Sequence, residues 1–136
     1  MHRSRIAVVL IDHPEESYDA AAAFWAAAHG ATRASEQGPP DDDPYESLGP
    51  LPGGVDLSLQ RTGPCTPPRV HLDIETDDAH AETARVVALG ARVLTQHDGW
   101  AVLEDPGGLV FCVVPVQSEQ ADFEAHAVTW PDGQPS

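Results

Sequence analysis

The sequence predicts an α+β domain built from two like halves, and three observations carry that expectation. A strand-like run, a helical stretch and a Gly-Ala step follow one another twice, ending at Gly30-Ala31 and again at Gly90-Ala91. Short strand-like runs come after each Gly-Ala step, so both halves read as strand, helix and three further strands. At 136 residues the chain is the length of a single domain able to bury a core without disulfides.

The elements follow in order. Residues 6–11, I-A-V-V-L-I, are a short apolar run bounded by a turn-like D-H-P, the pattern of a buried strand. Pro14 suits a first helical turn, Glu15 and Glu16 favour the positive end of the helix dipole, and Y-D-A-A-A-A-F-W-A-A-A-H ends at Gly30, a natural residue to follow a helix. Phe24 with Ala20, Ala27 and Ala28 is the expected inward stripe. Strands are expected at A-T-R-A-S, Y-E-S-L and V-D-L-S-L-Q-R, within a stretch whose residues 36–54, rich in Pro, Gly and Asp, also predict a long loop. The prolines of G-P-C-T-P-P, 63–68, forbid a continuous central strand and mark a linker.

In the second half V-H-L-D-I-E passes through an acidic cap at Asp77 and Asp78 into A-H-A-E-T-A-R-V-V-A-L. Strands A-R-V-L-T, W-A-V-L-E and L-V-F-C-V-V follow, the last two joined by the hairpin turn Asp105-Pro106-Gly107-Gly108. The expected organisation is therefore one domain over 1–136, made of a βαβββ module at 5–62, the linker 63–68, a second βαβββ module at 69–116 and a tail at 117–136. That tail is polar apart from Phe123, Val128 and Trp130, and either frays or is anchored by Trp130.

Seven basic against 22 acidic residues give a formal charge of −15, which repels phosphate backbones and anionic lipid surfaces and argues against nucleic acid or membrane as partner. A small neutral or cationic ligand suits that field. The two cysteines, Cys65 and Cys112, form no disulfide framework and no metal-type C-x-x-C, and the apolar run near the N-terminus is too short for a membrane span, so a cytoplasmic protein is expected. There is no phosphate-binding glycine loop and no nucleophile elbow.

Chemistry gathers at R-V-H-L-D-I-E-T, 69–76. Alternation puts His71, Asp73 and Glu75 on one face and Val70, Leu72 and Ile74 on the other. Asp73 lies about 7 Å and Glu75 about 14 Å along the strand from His71, so only Asp73 is within reach of it. A carboxylate beside an imidazole can orient it as a polar anchor or general base; a solvated face or a structural histidine is the plain alternative. Cys112 alternates with Val110 and Val114 as a small hydrophobe would, and Trp100 opens a strand where it packs or stacks on a ligand.

The second half, with its strand-one histidine, its L-G-A helix end and D-P-G-G ahead of an F-C strand, resembles the glyoxalase-like branch of the vicinal oxygen chelate superfamily, which includes glyoxalase I, bleomycin-resistance proteins and extradiol dioxygenases. The resemblance spans roughly residues 5–116. It implies paired βαβββ modules, a cupped mixed sheet with helices outside, a ligand held inside the cup, and a homodimer. His71 is then expected to point into the cup, with Asp73, Gln60, Trp100 and Cys112 as further ligand contacts. Metal-using members place one ligand on the first strand and one on the last strand of each module, commonly His or Gln first and Glu last. Here the first module offers only Ala7, Val8 or Val9 and then Gln60, and the second offers His71 and then Cys112. His71 and Gln60 are the metal candidates of an incomplete set. The expectation is a small-molecule-binding protein without a cofactor and with no assigned catalytic residue; the alternative is a lyase, isomerase or dioxygenase using a divalent metal.

Overall fold

A computed structural model describes residues 1–33 and 43–132 of the chain. Its eight strands form one open mixed sheet, ordered β2-β3-β1-β4-β7-β6-β5, with β8 also paired to β1. The strands are β1 (His2–Pro14), β2 (Tyr45–Leu51), β3 (Val55–Thr62), β4 (Arg69–Thr76), β5 (Arg92–His97), β6 (Trp100–Glu104), β7 (Val110–Pro115) and β8 (Val128–Trp130). Helices α1 (Tyr18–His29), α2 (Ala79–Ala88) and α3 (Gln120–His126) are peripheral. In each half the last strand runs parallel to the first, β3 beside β1 and β7 beside β4. The halves meet along antiparallel β1 and β4.

Several expectations hold locally. Gly30 follows α1 in the left-handed region at φ 79°, where a side chain would be strained. The Asp78 carboxylate accepts from the Ala81 amide and caps α2. Asp105 accepts from the amides of Gly107 and Leu109, closing the D-P-G-G turn.

Three expectations are corrected. The D-H-P at 12–14 is not a turn: β1 continues to Pro14, because Asp12, His13 and Pro14 pair with Gln60, Arg61 and Thr62 of β3. No strand forms at 31–33, and the rest of A-T-R-A-S, with the first part of the 36–54 loop, lies outside the described residues. The inward face of α1 is Tyr18, Ala22 and Ala26, packed with Ile11, Leu48 and Leu59; Ala20, Phe24, Ala27 and Ala28 are exposed. A helix of alanines offers little contrast between faces, so the aromatic ring alone could not fix its rotation. Tyr18 sets it instead, donating its hydroxyl to Glu46 of β2 while Arg61 lies over its ring.

A second core packs α2 onto β6 and β7 of its own half through Val86, Ala101, Leu103, Phe111 and Val113, with Leu72 and Ile74 of β4 against it. This consumes the apolar face of β4 and leaves His71 and Asp73 on the opposite face of the sheet.

The tail docks. Phe123 is fully buried, β8 pairs with His2–Ser4, and the Trp130 indole donates to Ser4 with the Arg85 guanidinium 3.8 Å from its ring. Trp130→Ala should therefore lower stability by about 2 kcal/mol, from one hydrogen bond and one cation–π contact. Urea titration followed by far-ultraviolet dichroism would measure it. Among the described residues no helix is long and apolar enough to cross a membrane.

Candidate functional site

The sheet face away from α1 and α2 lines a cavity of about 570 Å³, within the range of small-molecule pockets. Its floor follows from strand register. Leu10 of β1 stands between Ser58 of β3 and His71 of β4, and Asp73 stands between Val8 of β1 and Cys112 of β7. Paired residues in neighbouring strands share a face, so these side chains converge without any loop to place them.

His71, Asp73, Gln60, Trp100 and Cys112 all line this one cavity. His71 Nε2 lies 3.2 Å from Cys112 Sγ and 3.6 Å from Asp73 Oδ1. One ligand atom from each of the three falls within 4.8 Å of the others. Gln60 faces the cavity from β3, with β1 between it and β4, and its amide donates to the Tyr45 hydroxyl. Trp100 stacks its ring on His97 at 3.9 Å between centroids. Glu75 is engaged elsewhere, accepting from Arg5, from the amides of Gln117 and Ser118 and from the Ser118 hydroxyl.

Burial governs the electrostatics. Desolvation pushes the Asp73 carboxyl up to about 6, with the charge of Asp12 adding to it. Burial lowers the His71 pKa, and the nearby Arg69 cation lowers it further. The Cys112 thiol is pushed up to about 12, first by burial and then by Asp73 and Asp12. At neutral pH the imidazole and the thiol therefore carry no charge, the Asp73 carboxyl is mostly ionised, and Cys112 is a poor nucleophile.

Sequence reading overlooked Tyr45, Asp56 and Ser58, which also line the cavity. Ser58 and Asp56 hydrogen-bond to each other, and Asp56 also accepts from Ser47 at 2.7 Å. The alternation of D-L-S-L-Q, residues 56–60, was the available signal, since it sets Asp56, Ser58 and Gln60 on one face.

A family model described as a glyoxalase-like domain matches residues 8–114. The chain belongs to this family. No curated protein matches it. The glyoxalase-like match spans both halves and reaches into every strand that lines the cavity, β1, β2, β3, β4, β6 and β7. The metal that such folds imply must be tested against the donors present. On the β1 side the cavity receives only Val8 and Leu10, which bring carbon atoms. A set with ligands from both halves is therefore not formed around β1. His71, Asp73 and Cys112 do supply one nitrogen, one oxygen and one sulfur donor on β4 and β7, a combination suited to zinc.

Proposed function

We propose that this glyoxalase-like protein captures a small amphiphilic molecule in the sheet cavity and does so without turnover. The observation carrying this reading is the single cavity into which His71, Asp73, Gln60, Trp100 and Cys112 converge. Val8, Leu10, Val102 and Val114 supply apolar wall, Trp100 and Tyr45 supply aromatic surface, and Asp56 and Asp73 supply carboxylates. An organic cation with an apolar body suits that lining and the net charge of −15.

The test is a thermal-shift screen of metal-free protein against small amphiphilic amines, with neutral isosteres as controls. A ligand present at 100 times its Kd adds about 2.7 kcal/mol of stability. Amines should raise Tm and their neutral isosteres should not. A flat response across the panel, or equal response to both sets, would sink the proposal.

The reading includes a homodimer in a reducing cytoplasm. Free Cys65 and Cys112 support the compartment, and exposed Val87, Leu89, Val93 and Leu94 around edge strand β5 support self-association. Sedimentation would measure the latter. The second reading, a lyase, isomerase or dioxygenase dependent on a divalent metal, is favoured by the convergence of His71, Asp73 and Cys112. It requires retained metal and turnover that both vanish in His71→Ala.

A further inference from the structure

We propose that a second cavity, of about 240 Å³ at the end of β1 and lined by Asp12, Thr62, Thr66, Pro67 and Arg69, binds a small α-amino acid, with its ammonium on Asp12 and its carboxylate on Arg69. This cavity shares no lining residue with the larger one. Register builds it, since Asp12 stands between Gln60 of β3 and Arg69 of β4, and Thr62 follows Gln60 on the same face. The linker 63–68 closes over it. There the Cys65 amide donates to Glu16 and the Thr66 hydroxyl donates to the Gly63 carbonyl, so that Thr66 and Pro67 become cavity wall.

An unpartnered carboxylate carries the argument. Asp12 is 3 % exposed, yet its Oδ1 has no hydrogen-bond partner and its Oδ2 stands 3.7 Å from Arg69 Nε, beyond hydrogen-bond length. Carboxylates withdrawn from water ordinarily have their lone pairs filled. Burial raises the Asp12 pKa against the opposing charge of Arg69, as expected of an acid that lacks a donor. The hydroxyls do not supply one. With Thr66 donating to Gly63, Thr62 donates to Thr66 at 2.6 Å, so both protons are spent and the cavity receives oxygen lone pairs. That side calls for an ammonium, which only donates. Turning the carboxylate about its last torsion brings either oxygen to the cavity.

Arg69 supplies the other half of the site. Its side chain is 48 % exposed and makes no hydrogen bond of normal length among the described residues, which leaves its planar fork available to hold a carboxylate bidentately. Adjacency selects the ligand. Acidic and basic groups 3.7 Å apart require opposite charges on groups attached to one carbon, as in an α-amino acid. A simple amine is repelled by Arg69 and a simple carboxylate by Asp12. The volume lies below the usual range for drug-sized ligands, about 300–1,000 Å³, which suits the smallest amino acids. This site is additional to ligand capture in the larger cavity and does not rest on it.

The experiment is a calorimetric titration of the full chain with glycine and with L-alanine. Expected is saturable binding of one equivalent, weakened about tenfold or more for the methyl ester, which lacks the carboxylate, for the N-acetyl derivative, which lacks the ammonium, and for γ-aminobutyrate, whose charges lie far apart. Asp12→Asn and Arg69→Gln should each weaken binding about tenfold to 100-fold, through loss of one charged hydrogen-bonding partner. Should Asp12→Asn fail to fold, Arg69→Gln at its half-exposed position and the ligand controls still decide. Val102→Trp, which fills the larger cavity, should leave the titration as it is. Absence of binding at millimolar concentration, equal binding of the ester or the acetyl derivative, parent-like binding by either charge variant, or loss of binding in Val102→Trp would overturn the proposal. If neither amino acid binds while amines still stabilise the protein, this site falls and capture stands; the converse result removes capture alone.

Discussion

Replacing Glu82 with alanine should destabilise the fold by about 3–5 kcal/mol, the range expected when one partner of a buried ion pair is removed. Glu82 is fully buried on α2 and accepts from Arg85, His2 and Ser4. Its loss strands the half-buried Arg85 guanidinium and the buried His2 imidazole and Ser4 hydroxyl at once. Glu82→Gln keeps the shape and some of the contacts, and should cost about 1–3 kcal/mol. The pH dependence has a definite sign. Burial alone would raise the Glu82 pKa, but hydrogen bonds from Arg85, His2 and Ser4 prevail and hold it below its ordinary value of 4.5. A carboxyl with a depressed folded pKa contributes stability that is complete above the unfolded value and is lost as pH falls through the folded one. The gap between parent and Glu82→Ala, measured by urea titration, should be constant from pH 6 to 8, as the unfolded carboxyl titrates about 4.3, and should shrink below that. A gap that widened in acid would contradict this assignment.

Filling the cavity is the second large effect. Val102 lines it from β6, opposite Cys112 in the β7 register. Val102→Trp projects an indole into the space above the His71 cluster and should reduce the affinity of any amine found by the screen at least 100-fold, about 2.7 kcal/mol. Because the added bulk enters a cavity and not a packed core, Tm should stay within a few degrees of the parent. Val93→Trp on the exposed edge strand β5 is the control and should leave affinity unchanged. Equal affinity in Val102→Trp would place the ligand outside the cavity and remove the basis of the functional proposal.

The sequence made some of this legible and hid the rest for physical reasons. Period-two alternation over 69–76 separated the Leu72 and Ile74 face from the His71 and Asp73 face, and packing against α2 did the same in three dimensions. Helix ends were readable because glycine at positive φ and aspartate at an N-cap act locally. The rotation of α1 was not, since alanine distinguishes faces poorly and the deciding partner of Tyr18 is Glu46, 28 residues away. Cys112 looked inert among valines, and within its own strand it is. Only the parallel pairing of β4 with β7 sets its sulfur beside His71, and no spacing in a single sequence reports a register between strands 41 residues apart. Asp56 and Ser58 entered the site in the same way, through the β3-β1-β4 order.

The pairing of His2 with Trp130 brings opposite ends of the described chain side by side. A short linker could join them with little distortion, and the polypeptide could then be cut at 63–68, where no strand or helix runs. Such a circular permutant would begin at β4 and end at β3, exchanging the chain order of the two halves while keeping every strand neighbour. It offers a way to ask whether either half must be synthesised first for the other to fold upon it.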